Sequence, residues 1–108
     1  ELRRLVTLHQ AYELMNEGDK YLGRGNVEEA LERYRSAAQM APAIIELPFW
    51  HAVTLAELGR LEQALPIFKQ VFERDTAWAV LLQRLPKAGF LRNDPQMIQQ
   101  ILGLLEAD

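Results

Sequence analysis

The groups in this 108-residue chain with the chemistry to act as acid, base or nucleophile are His9, His51, Ser36, Thr54 and a scatter of carboxylates. A catalytic site needs several of them converging in a recognisable pattern, and none forms a motif. His9 and His51 lie 42 positions apart, with no HExxH-type spacing to hold a metal. His51 follows Trp50 and reads as an ordinary helix residue with one polar edge satisfied. The chain has no cysteine, which removes disulfides, thiolate ligands and thiol nucleophiles. Gly23-Arg24-Gly25 lacks the third glycine, the preceding strand and the lysine of a phosphate loop, so it reads as a turn. The neighbouring acids Glu28 and Glu29, like Glu57 and Glu62, fit first-turn carboxylates that complement a helix dipole better than a catalytic pair. The pattern predicts no catalytic residue, cofactor or metal, and hence no enzyme within this stretch; any catalytic domain lies upstream.

Composition narrows the partners. The net charge of −3 and sequence pI near 5.4 repel a phosphate backbone, so nucleic acid is not expected. Hydrophobic residues at 49% and charged residues at 25% suit one folded domain rather than a disordered tail. No apolar run approaches the roughly 20 residues that span a bilayer, and no basic-then-apolar leader is present, so no membrane partner is expected and a cytoplasmic location is favoured. The sequence begins at Glu1, which reads as a fragment of a longer protein.

The elements that must position any site are all helical. Leu2, Leu5, Val6, Leu8, Tyr12, Met15, Tyr21 and Leu22 recur at three- and four-residue steps, predicting one long helix over 2–22. A Gly-Arg-Gly turn follows, then a helix over Val27–Met40, with Asn26 and Glu29 placed as a capping box and Pro42 beyond its end. Next come a helix within Ile44–Leu58, with Pro48 in its first turn, and one over Leu61–Arg74, kinked near Glu62 by Pro66. Thr76 is expected to cap a short helix that Pro86 terminates. Asp94 and Pro95 open the last helix, which ends with Leu104 and Leu105 and holds a Gly103 that costs about 1 kcal/mol relative to alanine unless close packing needs it.

Subtracting positions exposes a period. Gly25 and Gly59, Glu28 and Glu62, Ala30 and Ala64, Leu31 and Leu65, Ala43 and Ala77 are each 34 apart, and Tyr34 pairs with Phe68 in the same register. A 34-residue period of helix, turn and helix resembles the tetratricopeptide repeat (TPR) family. Its landmarks fall on Leu14, Gly18, Tyr21, Ala30, Tyr34, Ala37 and Pro42, with Leu14 in place of the family's leading tryptophan. The resemblance implies an all-α, TPR-like array of antiparallel helix pairs: an N-terminal extension over 1–10, repeats over 11–44 and 45–78, and a degenerate pair over 79–108 acting as cap. It places Gly18 and Ala30 at helix crossings. The run LPFWHAVTLAELGRLEQALPIFKQVF, with the tryptophan and RLPKAGFL that follow, is also similar to a C-terminal module of an uncharacterised bacterial family. That family's main domain resembles N-terminal-nucleophile hydrolases, and the module has been assigned to peptidoglycan binding.

In such arrays the first helix of each pair lines a concave face. Asn16, Trp50 and Arg84 are equivalent at steps of 34, flanked by Met15 and Phe49 and by Asp19, Val53 and Lys87. These eight residues are the candidate partner-binding set, with Phe49 and Trp50 as an aromatic floor and Arg84 as its cationic edge. The TPR resemblance implies a non-catalytic protein-interaction module that docks on an upstream domain, a second copy or a peptide. The narrower resemblance implies the alternative, a glycan-binding accessory domain in which Trp50 and Phe49 stack on sugar rings. Asp19, at a site where the family's carboxylate-clamping members need a cation, argues against a C-terminal carboxylate as ligand.

Overall fold

The computed structural model describes residues 2–106. Its elements are α1 (Leu2–Gly23), α2 (Val27–Met40), α3 (Glu46–Glu57), α4 (Leu61–Arg74), α5 (Ala77–Ala88) and α6 (Pro95–Leu102), the last tightening into a 3-10 turn over Gly103–Leu105. The described residues contain no strand, so the all-helical expectation holds.

The chain divides into two units, residues 1–51 and 52–108, with the boundary inside α3. In the first unit α1 and α2 pack along much of their length. Small residues make that approach possible: Ala11, Gly18, Ala30 and Ala37 are all buried, so the backbones come close where bulkier side chains would hold them apart. Ala11, Ala37 and Leu47 of α3 form a buried cluster, with Leu14, Met15 and Ile44 packed against it. In the second unit α4 packs on α5, α6 and the 3-10 turn. Its core includes Ala64, Phe68, Val71, Phe72, Leu82, Leu85, Met97 and Ile101, and the Phe68 and Phe72 rings stack at 5.8 Å.

The 34-residue period is written into local geometry. Gly25 and Gly59 both take φ near +82°, a left-handed conformation that glycine adopts without a Cβ penalty. In each turn the N–H that follows reaches back five residues, Asn26 to the Tyr21 carbonyl at 2.9 Å and Arg60 to the Leu55 carbonyl at 2.8 Å. The same closure ends α5, where Gly89 has φ +86° and the Phe90 N–H donates to the Leu85 carbonyl at 3.0 Å. The helices that follow the first two turns, α2 and α4, start and stop 34 residues apart.

Several local expectations are corrected. Asn26 makes no side-chain cap bond to α2: its backbone is committed to the preceding turn, so no capping box closes. Thr76 makes none to α5 either. Asp75 takes that role, its Oδ1 accepting from the Ala77 N–H at 2.9 Å. Pro86 does not end α5, which runs on to Ala88; proline forfeits one donor and crowds one carbonyl, and the Gly89 turn is what stops the helix. Asp94 does cap α6, accepting from the Met97 N–H at 3.1 Å with Pro95 in the first turn. α4 continues unbroken through Pro66. At Gly103 an added Cβ would meet nothing within 4 Å, so close packing does not explain that glycine.

Candidate functional site

Helices α1 and α3 are tied at equivalent positions. The Tyr12 hydroxyl, one 34-residue period before Glu46, donates to the Glu46 carboxylate, and this contact holds the Tyr12 pKa above its usual value. A second tie runs through the α2 residue Tyr34. Its hydroxyl donates to Asp19 Oδ1 at 2.6 Å, and its ring lies 6.5 Å from that of His51, tilted by 50°. Burial and the Asp19 carboxylate both raise the Tyr34 pKa. The His51 pKa is lowered to about 4, first by burial and then by the positive charge of Arg35, so this imidazole is neutral near pH 7.

The eight candidate residues fare differently. Phe49 is 0% exposed and Val53 is 3% exposed; both are core residues and present no surface to a partner. Met15 is partly buried against the Ala11, Ala37 and Leu47 cluster. Asn16 is exposed, and Asp19, also exposed, accepts the Tyr34 hydroxyl. Trp50 is half-buried, meeting the Phe49 ring in a T-shaped contact at 5.3 Å and 78°. The pair therefore supplies one partly open ring rather than an aromatic floor.

In the second unit Arg84 and Lys87 are exposed, but the turn geometry moves them out of register. Counting back nine residues from Gly25 gives Asn16, and from Gly59 gives Trp50. From Gly89 the same count gives Val80, because the third glycine follows after 30 residues rather than 34. Val80 is 50% exposed. Gly18, Ala52 and Leu82, equivalent by this count, are all buried. The left-handed glycine was the legible signal for this shift, and Pro86 masked it by suggesting an earlier helix end.

Two open grooves lie elsewhere. One of about 520 Å³ sits beneath the first turns of α1, lined by Arg3, Arg4, Leu8, Met40, Pro42 and Ile44 among others. Arg3 and Arg4 sit at the start of α1, where the helix dipole disfavours cations, but beside the end of α2, whose own last turn has no basic residue. The second groove, about 500 Å³, lies between α5 and α6 and includes Gln83, Pro86, Lys87, Asn93, Pro95 and Ile98.

A feature not separated in the sequence pattern is that α1 is apolar on two sides. Leu8, Ala11, Leu14, Met15 and Gly18 are partly or fully buried. Leu2, Leu5 and Val6 point the opposite way and are 79%, 63% and 52% exposed. Reading all these residues as one stripe hid the difference; steps of about 100° per residue separate the two sets.

Among the described residues no cluster of three or more histidine, cysteine or acidic side chains could hold a metal ion. No buried side-chain polar atom among them lacks a hydrogen-bond partner. No described helix is long and apolar enough to cross a membrane. No protein-family model, curated protein or solved structure matches the chain.

Proposed function

We propose that the chain is a non-catalytic protein-interaction module built as a TPR-like series of helix pairs. The observation that carries this reading is the second apolar side of α1. A helix with one buried stripe is satisfied by its own fold; a helix with a further exposed row, Leu2, Leu5 and Val6, has surface whose burial is favourable against an upstream domain, a second copy or a peptide. The repeated turns at Gly25, Gly59 and Gly89 support the repeat architecture, and the partly open Trp50 ring supports a second contact along the first helices of the pairs.

The glycan reading draws less support. Sugar stacking needs exposed aromatic planes with polar neighbours, and Phe49 has no exposed surface, so the Phe49 and Trp50 pair offers a single ring.

Site-specific photo-crosslinking tests the docking reading in the intact protein inside cells. A photoreactive residue at Leu5 or Trp50 is expected to yield a discrete protein adduct, and one at the exposed position Gln39 is not. Absence of an adduct from both Leu5 and Trp50 overturns it.

A further inference from the structure

The buried stripe of α1 changes character at its start. Arg3, Arg4, Thr7 and Leu8 stand one and two helical turns before Ala11, on the face that goes on through Ala11, Leu14 and Gly18 into the core. Two of the four are cations, and both are exposed. α2 ends at Met40, and residues 40–44 share with these first turns of α1 the open groove of about 520 Å³. Leu8, Met40, Pro42 and Ile44 make its lining largely apolar, and its volume falls in the range of roughly 300–1,000 Å³ found for ligand sites. The link that forms one wall is held in shape, the Ala41 N–H donating to the Ala37 carbonyl at 3.2 Å and the Ile44 N–H to the Ala41 carbonyl at 3.0 Å. Neither arginine is ion-paired with a described carboxylate. Glu13, further along α1, lies 2.7 Å from His9, and Glu46 accepts the Tyr12 hydroxyl.

We propose that this groove binds an extended peptide segment in which acidic side chains adjoin bulky aliphatic ones. The acids meet Arg3 and Arg4, and the aliphatic side chains lie along Leu8, Met40, Pro42 and Ile44. Charge complementarity selects the acids. Two cations at the start of α1 gain nothing from that helix, whose dipole disfavours them, whereas a carboxylate beside a guanidinium makes a charge-assisted hydrogen bond. The openness of the groove selects a peptide over a free fatty acid. Met40 and Pro42 are exposed, so an acyl chain laid there would keep much of its length in water, while an extended peptide buries alternate side chains and leaves the others solvated. The site is separate from the exposed row of Leu2, Leu5 and Val6, and the inference therefore goes beyond the docking reading above.

Selection of random peptides displayed on phage against the intact protein, followed by anisotropy titration of the enriched sequences, tests it. Aspartate or glutamate next to leucine, isoleucine or valine is expected to be enriched, with affinity falling as salt rises. Arg3→Glu combined with Arg4→Glu is expected to weaken these peptides by at least about tenfold, and lysine in place of their acids to restore binding to that variant. Met40→Glu, at an exposed side chain, is expected to weaken them as well, and Leu5→Glu to leave them unchanged. Helical circular dichroism equal to the parent's shows that each variant is folded. Failure to enrich such peptides, or affinity indifferent to the arginine reversal, overturns the proposal. Dodecanoate bound with the same arginine dependence while no peptide is enriched also overturns it, in favour of a fatty-acid site. A failed selection with adducts still formed at Leu5 or Trp50 leaves the docking reading standing; selected peptides without either adduct leave the groove standing and remove that reading.

Discussion

The ring of Tyr34 lies on Gly18 so closely that a Cβ added there would sit 2.5 Å from Tyr34 Cε1 and 2.8 Å from Cδ1. Tyr34 is itself only 2% exposed and is anchored by its hydroxyl on Asp19, so the ring has little freedom to retreat. Gly18→Ala is therefore expected to destabilise the fold by about 1–3 kcal/mol through overpacking. This outweighs the gain of up to about 1 kcal/mol that alanine brings to a helix interior. Urea unfolding measures it, and Tyr34→Leu in the same chain should relieve part of the loss. A neutral Gly18→Ala would mean that the two helices yield.

Ala30 and Ala64 stand 34 apart and are both 0% exposed. If they occupy the same crossing in successive helix pairs, Ala30→Leu and Ala64→Leu should each cost about 1–3 kcal/mol. A site that tolerates leucine while the other does not would break the equivalence and with it the repeat assignment.

Adjacent aromatics offer a sharper contrast. Phe49→Ala empties a fully buried site and is expected to cost about 3–5 kcal/mol. Trp50→Ala should cost clearly less, because part of its ring is already in water. Thermal and denaturant unfolding of the two variants decides the ranking; the reverse order would make Trp50 the core residue of the pair.

His51 predicts a pH dependence. The unfolded chain takes up a proton as pH falls through about 6.5, whereas the folded chain holds this imidazole neutral down to about 4. More protons bound in the unfolded state means that stability rises with pH, so the group's contribution is lost progressively between about 6.5 and 4 and is flat above that window. His51→Gln should remove this component, and unfolding free energies of the two proteins should converge as pH falls. A His51 ring proton that titrates near 6.5 by NMR would contradict the burial argument.

Capping gives a local test. Asp94→Ala and Asp75→Ala each remove a side-chain acceptor from a helix start and should cost about 0.5–2 kcal/mol. Asn26→Ala and Thr76→Ala remove no such bond and should stay near neutral. Denaturation midpoints at constant slope report all four.

The sequence by itself determined the helices and their order. Apolar residues at three- and four-residue steps and the glycines at the ends of α1 and α3 are local facts, and they placed α2 and α4 to the residue. The 34-residue spacing of Gly25 and Gly59 likewise foretold two turns of the same conformation. Tertiary structure decided what each helix does with its faces. A helix such as α1, apolar on two sides, carries no local mark of which side its neighbours will cover, because those neighbours lie far along the chain. Phe49 and Trp50 are equally hydrophobic and differ by one step around α3, so packing alone separates the buried ring from the half-open one. The end of α5 followed the same rule: Pro86 signals a break from its own chemistry, yet α5 continues past it to Ala88 and the left-handed Gly89 stops it.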